Sequence, residues 1–419
     1  MQSLRIIASI AALVATASPA LASHGVVIPA FARKYNISCS VCHAPAPKLT
    51  AVGEAFAGNG FEFSPGEEPR DTVGTGDALL RLQRALPLAV RFDAYATLLS
   101  NKSNNQASTD LQTPWVIKLL SGGQVTEKIS YYTYFLLSER GEVAGLEDAY
   151  LQFTDIAGSG VSVIVGQFQV SDPLFKRELR LTYDDYQPYR IRVGQAQADL
   201  TYDRGMMALW SPRDGSDFAF SMVSGRGLNH ANDQRQYDGD SDKNFLARYS
   251  QDVGPLRLGV YGYTGNEKQN DQHNRINILG PDATVALGDK MELNLQYLRR
   301  TDDNPFYGTC SVQIPCPGGR TSAFSTTVKS GFAEAIISPQ GPAGRLFFTG
   351  LYNWVEADGP VVSLRLGEQA TAPGYISNYT TMSAGVHYLY RRNARFIGEG
   401  IWDSRLEQLR LVTGIVVGF

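Results

Sequence analysis

Residues 291–297 read Met-Glu-Leu-Asn-Leu-Gln-Tyr, with an apolar side chain at every odd number and a polar one at every even number. Successive side chains of a β-strand point to opposite faces, so this period of two predicts a strand with one apolar and one polar face. Residues 90–98 and 129–135 alternate in a similar way. Residues 409–419 place on one side Leu409, Leu411, Ile415, Val417 and Phe419. A strand between lipid and a polar lumen has this pattern.

About sixteen such segments follow one another, an even number as in bacterial single-chain barrels. They lie near 86–99, 113–124, 127–139, 145–155, 161–170, 197–211, 217–226, 243–251, 256–264, 274–284, 290–300, 329–339, 344–356, 379–391, 394–404 and 408–419. If the first strand starts in the periplasm, every odd-numbered connection is extracellular. The long connections fall there, at 100–112, 171–196, 227–242, 265–273, 301–328 and 357–378. The sequence therefore predicts an all-β fold, a transmembrane antiparallel outer-membrane β-barrel.

The N-terminus predicts export. One positive charge within residues 1–5 precedes an apolar run at 6–16, and residues 19–22 end in a small-residue cleavage site. This order is typical of a secretory signal peptide, here residues 1–22. No later stretch reaches the roughly 18 apolar residues that a membrane helix needs. The net charge of −3 over 419 residues does not favour nucleic acid as a partner. Both termini are expected on the periplasmic side of the outer membrane.

A second motif follows the signal peptide, in the order Cys39-Ser40-Val41-Cys42-His43. In a C-x-x-C-H run the two thiols attach a haem covalently, and the following imidazole becomes the proximal iron ligand. A redox C-x-x-C would need a thioredoxin-like βαβ context, and a zinc site would need a second pair of ligands. The sequence supplies neither. It therefore predicts one covalent haem c on Cys39, Cys42 and His43.

The sixth ligand of that iron is left open by the sequence. Its candidates are His24, the new terminal amine, His387, Met206 and Met207, or an open position. The other two cysteines, Cys310 and Cys316, lie in a Gly/Pro/Ser-rich stretch of an extracellular connection. In an oxidising compartment they are expected to form a disulfide.

Four segments result: the signal peptide 1–22, a monohaem cytochrome c segment 23–63, a Pro/Gly-rich linker 64–85, and the barrel 86–419. The sequence does not decide whether the haem segment lies in the lumen or in the periplasm. The long connection 171–196 mixes bulky apolar and charged residues. Two interpretations of it stay open, a loop folded into the lumen and a packed surface loop.

The haem segment resembles a known family in a specific pattern. That pattern comprises Pro29-Ala30-Phe31-Ala32-Arg33-Lys34-Tyr35, the Cys39–His43 motif, Pro47, Leu49, Gly53, Phe56 and Gly60-Phe61. It resembles the fused monohaem cytochrome–porin family of outer-membrane iron oxidases. Residues 166–178, from Gly166-Gln167-Phe168 to Lys176-Arg177-Glu178, also look like that family's barrel. In architecture the resemblance covers the whole mature chain. The specific motifs of the family lie only in these two stretches.

The resemblance implies an iron:cytochrome c oxidoreductase of the electron-transfer type. Extracellular Fe(II) would be the donor, the haem held by His43 the relay, and a periplasmic c-type cytochrome the acceptor. The haem-segment pattern also occurs in fused cytochromes with undefined donors, so it argues for electron transfer more strongly than for iron. Acids at lumen-facing positions are weak candidates for iron contacts, because charged lumens are ordinary in porins. They are Asp93, Asp199, Asp203 and Glu292.

Three rival interpretations stay open. The chain could be a haem-plugged porin for small solutes, since a barrel of about sixteen strands is wide enough for a channel. It could be an electron conduit for another donor, such as a reduced sulfur compound or an extracellular cytochrome. It could also carry the haem segment as a docking module on a barrel of unrelated function.

Overall fold

Sixteen antiparallel strands close into a barrel in the computed structural model. The structure describes residues 30–64, 67–68, 72–77, 79–100, 107–269, 271–307, 324–364 and 375–419. In chain order the strands β1 to β16 are Leu88–Leu99, Thr109–Thr126, Ile129–Glu139, Gly145–Phe153, Val161–Gln169, Tyr202–Arg213, Ser216–Val223, Asn244–Val253, Leu256–Gln269, Gln272–Leu287, Met291–Asp302, Thr326–Ile337, Leu346–Ala357, Asn378–Arg391, Ala394–Asp403 and Gln408–Gly418. Each pairs with the next, and β16 pairs with β1 to leave no open edge.

The strands alternate as the sequence predicts. In β11, Asn294 and Gln296 are buried, whereas Leu295 and Tyr297 are exposed. On the closing strand, Leu409 and Leu411 are likewise exposed on the outer face. Exposed apolar side chains on the outside of a closed barrel form a lipid-facing surface. Among the described residues, no helix is both long enough and apolar enough to cross a membrane.

Two details of the predicted strands are wrong. The segment 265–273 is not a long connection, because β9 and β10 stay paired up to Gln269 and Gln272. Because its residues are mostly polar, the alternation of polar and apolar side chains ends here, although the backbone hydrogen bonds between the two strands continue. Residues 197–201 do not belong to the sixth strand, which begins at Tyr202. They end the preceding loop, where Gln197 N–H donates to the Glu267 carboxylate at 2.9 Å.

The connection between β5 and β6 folds into the lumen, which settles the alternative that the sequence left open. We call residues 170–201 the lumen loop. Its Tyr186 ring stacks on Phe332 of the wall, with 4.3 Å between ring centroids, and its hydroxyl donates to Glu334 at 2.9 Å. Tyr189 donates to Gln296 at 3.1 Å. Short helical turns at Arg177–Leu179 and Gln187–Arg190 and a strand at Ile191–Val193 shape the loop. That strand pairs with Val362–Leu364.

The N-terminal segment carries the α-helices of the described residues. Helix α1 spans Ala30–Tyr35, a 3-10 turn spans Cys39–Val41, and helix α2 spans Ala51–Gly58. Two short strands, Thr72–Val73 and Leu82–Gln83, pair with each other before the barrel begins. We call residues 30–64 the plug, because they lie against the inside of the barrel at its short-turn end. Short turns mark the periplasmic end of such barrels.

Candidate functional site

The plug brings Cys39, Cys42 and His43 together on one helical turn. Ser38 caps the 3-10 turn by accepting from the Ser40 N–H at 3.3 Å. The N–H groups of Cys42 and His43 both donate to the Cys39 carbonyl, at 3.3 and 2.9 Å. Both thiols are free. Burial raises the pKa of each thiol, so neither is the activated thiolate that a reactive redox cysteine requires.

The imidazole of His43 is oriented by the backbone. Its Nδ1 lies 3.0 Å from the Pro47 carbonyl, which can only accept, so Nδ1 carries the proton. Burial lowers the pKa of His43 and keeps the ring neutral. Nε2 therefore presents a lone pair. A ring nitrogen bonded to a backbone carbonyl, with the other nitrogen left to a metal, is the usual arrangement of a metal-ligating histidine.

Helix α2 packs directly on this turn. Thr50 caps it by accepting from the Gly53 N–H at 3.2 Å, and the same hydroxyl donates to the Val41 carbonyl at 2.7 Å. At Gly53 the two backbones are so close that an added Cβ would lie 2.3 Å from the Cys42 carbonyl oxygen. A residue without a Cβ is therefore required there.

A cavity of about 340 Å³, here the plug cavity, lies between the plug and the barrel wall. The thiols and the imidazole border it. Aromatic and aliphatic side chains form most of its walls, among them Phe31, Phe56, Phe61, Leu120, Tyr132 and Val416. Its size lies within the range of ligand pockets. Two free thiols, a neutral imidazole and an apolar space beside them fit a covalently attached haem c.

Polar contacts fix the plug in the barrel mouth. Arg33 donates to the Leu88 carbonyl at 2.7 Å, and Lys48 forms an ion pair with Glu292 at 2.9 Å. Glu62, which is 2% exposed, accepts from the Gln124 amide at 2.6 Å. Glu292, predicted as a lumen acid, thus contacts the plug.

A second cavity of about 630 Å³ lies toward the opposite end of the lumen. We call it the vestibule. Its lining includes Leu99, Ala107 and Leu406. These residues lie at the ends of β1, β2 and β15 on the side of the barrel that carries the long connections. Most of its lining side chains are polar or charged. By the orientation of the turns, this cavity faces the cell exterior.

The vestibule and the plug cavity share four lining residues, namely Arg91, Lys118, Glu178 and Arg395. We call these residues the dividing layer. Lys118 forms an ion pair with Glu178 of the lumen loop, and Arg91 binds Asp93 at 2.7 Å. Although burial opposes its ionisation, Lys118 together with Arg180 and Arg177 lowers the pKa of Glu178 to about 2. A single layer of charged side chains therefore separates the two cavities.

Comparisons with known proteins match the barrel. A scan against protein-family models and a search of curated proteins found no match. An anion-selective porin from Comamonas acidovorans matches with a TM-score of 0.55 and 10% identity, covering 80% of this chain and 99% of the porin. The outer membrane channel DcaP of Acinetobacter baumannii matches with a TM-score of 0.53 and 14% identity, covering 79% of this chain and 96% of DcaP. The chain is a porin-like outer-membrane β-barrel. At these identities the likeness shows the fold alone.

The porin-like barrel keeps the other predicted ligands apart from the thiols. His387 lies buried in β14, its Nε2 3.0 Å from the Thr349 hydroxyl, and does not line the plug cavity. Met206 is 45% exposed on the outer face, and Met207 is buried against the lumen loop. His24, the signal peptide and the pair Cys310 and Cys316 lie outside the described residues.

The predicted iron-contacting acids are also separated. Asp199 belongs to the lumen loop and pairs with Arg192 at 2.9 Å, while Asp203 accepts from the Gly225 N–H at 2.7 Å. Asp93 lines the vestibule. Across the described ranges, no group of three or more His, Cys, Asp or Glu side chains could hold a metal ion. The dividing layer is not predicted by the sequence. Its only sequence signal is a set of charges at lumen-facing positions.

Proposed function

We propose that this barrel transfers electrons across the outer membrane through a haem c held by Cys39, Cys42 and His43. The observation that carries the proposal is the position of the Cys39–His43 turn. It borders an apolar cavity at the periplasmic mouth, and one charged layer separates that cavity from a vestibule on the exterior side. A donor outside and an acceptor in the periplasm would meet the same centre from opposite sides.

The chain's own residues have distinct roles in this proposal. Cys39 and Cys42 supply the thioether sulfurs, and the neutral His43 supplies Nε2 to the iron, with Pro47 holding the ring. When bound, haem c supplies a one-electron iron couple. The plug and the apolar walls exclude water, and low solvent exposure is one factor that sets a haem potential.

Fe(II) is the donor that the resemblance to cytochrome–porin iron oxidases implies. Ferric iron precipitates near neutral pH, so a cell gains by taking in the electron and leaving the metal outside. The vestibule lining holds acids and basic side chains in nearly equal number, and Asp110 and Asp403 are the acids near its outer end that would contact a cation. In this proposal Fe(II) is a transient substrate, and a soluble periplasmic c-type cytochrome accepts the electron.

A second candidate function is passage of small solutes. The fold match to an anion-selective porin and to an outer membrane channel favours it. The lumen loop and the plug argue for a narrow path, because both fill space that an open barrel of about sixteen strands leaves to water. In this alternative the plug restricts or gates the pore.

Two measurements on the purified protein separate these candidates. The first is the covalent haem content, followed by stopped-flow mixing of the oxidised protein with Fe(II) while the visible haem bands are recorded. The electron-transfer proposal expects one haem per chain and rapid reduction. Absence of covalent haem would overturn the electron-transfer proposal. Reduction by another donor but not by Fe(II) would overturn the assignment of Fe(II) as the donor. The second is ion conductance in a planar bilayer, where a large haem-independent conductance would favour the pore.

The His43 ligand has its own test. His43→Ala should abolish reduction by Fe(II) and change the haem spectrum, while the barrel still shows its folded, heat-modifiable mobility on a gel. His387→Gln is the matched control. Because His387 lies outside the plug cavity, this variant should keep the wild-type spectrum. A changed spectrum in His387→Gln would show that His387 influences the haem although it does not line the plug cavity.

A further inference from the structure

The lining of the plug cavity carries an excess of positive charge. Five of its described lining residues are cations, and one is a carboxylate. These residues are Arg91, Lys118, Lys176, Arg392, Arg395 and Glu178. A buried charge is costly unless a partner neutralises it or hydrogen bonds satisfy it. The partner of each cation therefore shows which of them can take a ligand.

Three of the cations have carboxylate partners. Arg91 binds Asp93 at 2.7 Å, and Lys118 is paired with Glu178. Lys176 binds Asp172 at 2.8 Å. The charges of these three side chains are thus already compensated within the wall and the lumen loop.

The fourth cation, Arg392, lies in the short turn between β14 and β15. It donates to the backbone carbonyls of Gly344 and Ala343, at 3.1 and 2.6 Å. Its donors are therefore engaged at the barrel rim.

Arg395 differs from the other four. It lies on β15, is 4% exposed, and lines both the plug cavity and the vestibule. Within the described residues its Nε and Nη1 have no hydrogen-bond partner. The charged and titratable groups around it are Arg91, Asp93, Tyr95, Glu399 and His387. An unsatisfied buried guanidinium is among the most costly groups that a protein can hold.

We propose that Arg395 binds a propionate carboxylate of the haem in the plug cavity. This inference rests on the proposed function and adds an anchoring residue to it. A carboxylate accepts two parallel hydrogen bonds from one edge of a guanidinium, either Nε with Nη2 or Nη1 with Nη2. On either edge it would satisfy one of the two donors of Arg395 that have no partner within the described residues. Because Arg395 belongs to the dividing layer and lines both cavities, a propionate held by it would lie at this layer. Arg395 is thus a positioning residue.

The test compares reduction potentials of haem-loaded full-length proteins as a function of pH. The variants are Arg395→Gln, Arg395→Lys and the matched control Arg392→Gln, which removes a charge from the same cavity lining. Each is titrated spectroscopically from about pH 5 to about pH 8. A buried carboxylate that loses its cationic partner has a raised pKa, so its ionisation moves into this range.

The expected result is a difference in the shape of the curve of reduction potential against pH. Wild type should give a nearly flat profile, whereas in Arg395→Gln the potential should fall as the freed propionate ionises with rising pH. Arg392→Gln should show at most a constant offset, and Arg395→Lys should restore much of the flat profile because it restores the charge. Parallel profiles of Arg395→Gln and Arg392→Gln would overturn this inference and leave the proposed function standing. A protein that carries no covalent haem would overturn both this inference and the proposed function.

Discussion

At the scale of single residues, close contact between two backbones explains the position of a glycine. Gly53 and Gly58 both lie in α2, yet only Gly53 faces the Cys42 carbonyl. An added Cβ at Gly58 meets nothing within 4 Å. The two positions therefore offer a matched pair of substitutions in one helix.

Gly53→Ala is expected to destabilise the plug by about 1–3 kcal/mol, because the helix must move away from the Cys42 carbonyl. Gly58→Ala should instead stabilise the helix by up to about 1 kcal/mol. The measurement is covalent haem per polypeptide in purified membranes. We expect a clear loss in Gly53→Ala and wild-type content in Gly58→Ala. Equal haem content in both variants would contradict this packing.

The residue scale also shows what the sequence can and cannot indicate. The motif Cys39–His43 is contiguous, so one turn of chain determines its geometry and the sequence alone predicts it. Arg395 contributes to the same cavity from a strand more than 300 residues away. Its position depends on the closure of β16 on β1, which no local pattern encodes. Its importance is visible only once its neighbours are known.

At the scale of elements, one carboxylate of the lumen loop contacts three arginines of the same loop. Asp185 contacts Arg177, Arg190 at 3.5 Å and Arg180 at 3.7 Å. Burial opposes its ionisation, but the three guanidinium groups hold the pKa of Asp185 well below its usual range. Asp185 is thus the acid that contacts all three arginines, and Glu178 also interacts with Arg177 and Arg180. Breaking a buried pair of this kind costs about 3–5 kcal/mol.

Asp185→Asn should therefore release the lumen loop from the wall. We expect faster cleavage of the loop by added protease and a higher conductance in a planar bilayer. Asp233→Asn, at an exposed position of the connection between β7 and β8, serves as the control and should change neither. Wild-type protease resistance in Asp185→Asn would show that apolar packing alone holds the loop.

Acid should reproduce this effect in the wild type. The folded-state pKa of Asp185 is lowered, so its stabilisation is fully present above the unfolded value of about 3.9 and declines as the pH falls below it. Conductance should stay constant from neutral pH down to about pH 4 and rise in stronger acid. Asp185→Asn should lack this acid-dependent rise. A rise already near neutral pH would point to another group.

The strands, too, could be predicted from local sequence patterns, whereas the contacts between distant parts of the chain could not. All sixteen were predicted from alternation, because every strand meets lipid on one side and polar groups on the other. The error at 265–273 fell where both faces of the chain are polar. The error at 197–201 has a different cause: these residues alternate like a strand, but Ala198 and Leu200 are buried within the lumen loop. Placement of the lumen loop required knowledge of its aromatic partners across the barrel.

At the scale of the whole molecule, the closed barrel fixes which connections face the cell exterior. Residues 224–243 form a long connection, whereas residues 154–160 form a short turn at the other end. In intact cells, a membrane-impermeant maleimide should label Asp233→Cys but not Ser159→Cys. Wild-type cells provide the background from the native cysteines. Labelling of Ser159→Cys alone would reverse the orientation and place the plug outside.

The docked plug also constrains the order of biogenesis. Cys39 and Cys42 border a cavity that the barrel wall encloses on one side and the plug on the other. In the proposed holoprotein, an attachment enzyme must reach both thiols while the N-terminal segment is still undocked. Haem attachment therefore precedes the final closure of the periplasmic mouth. A cell that delays this attachment would accumulate finished barrels with undocked N-terminal segments, which periplasmic proteases can remove.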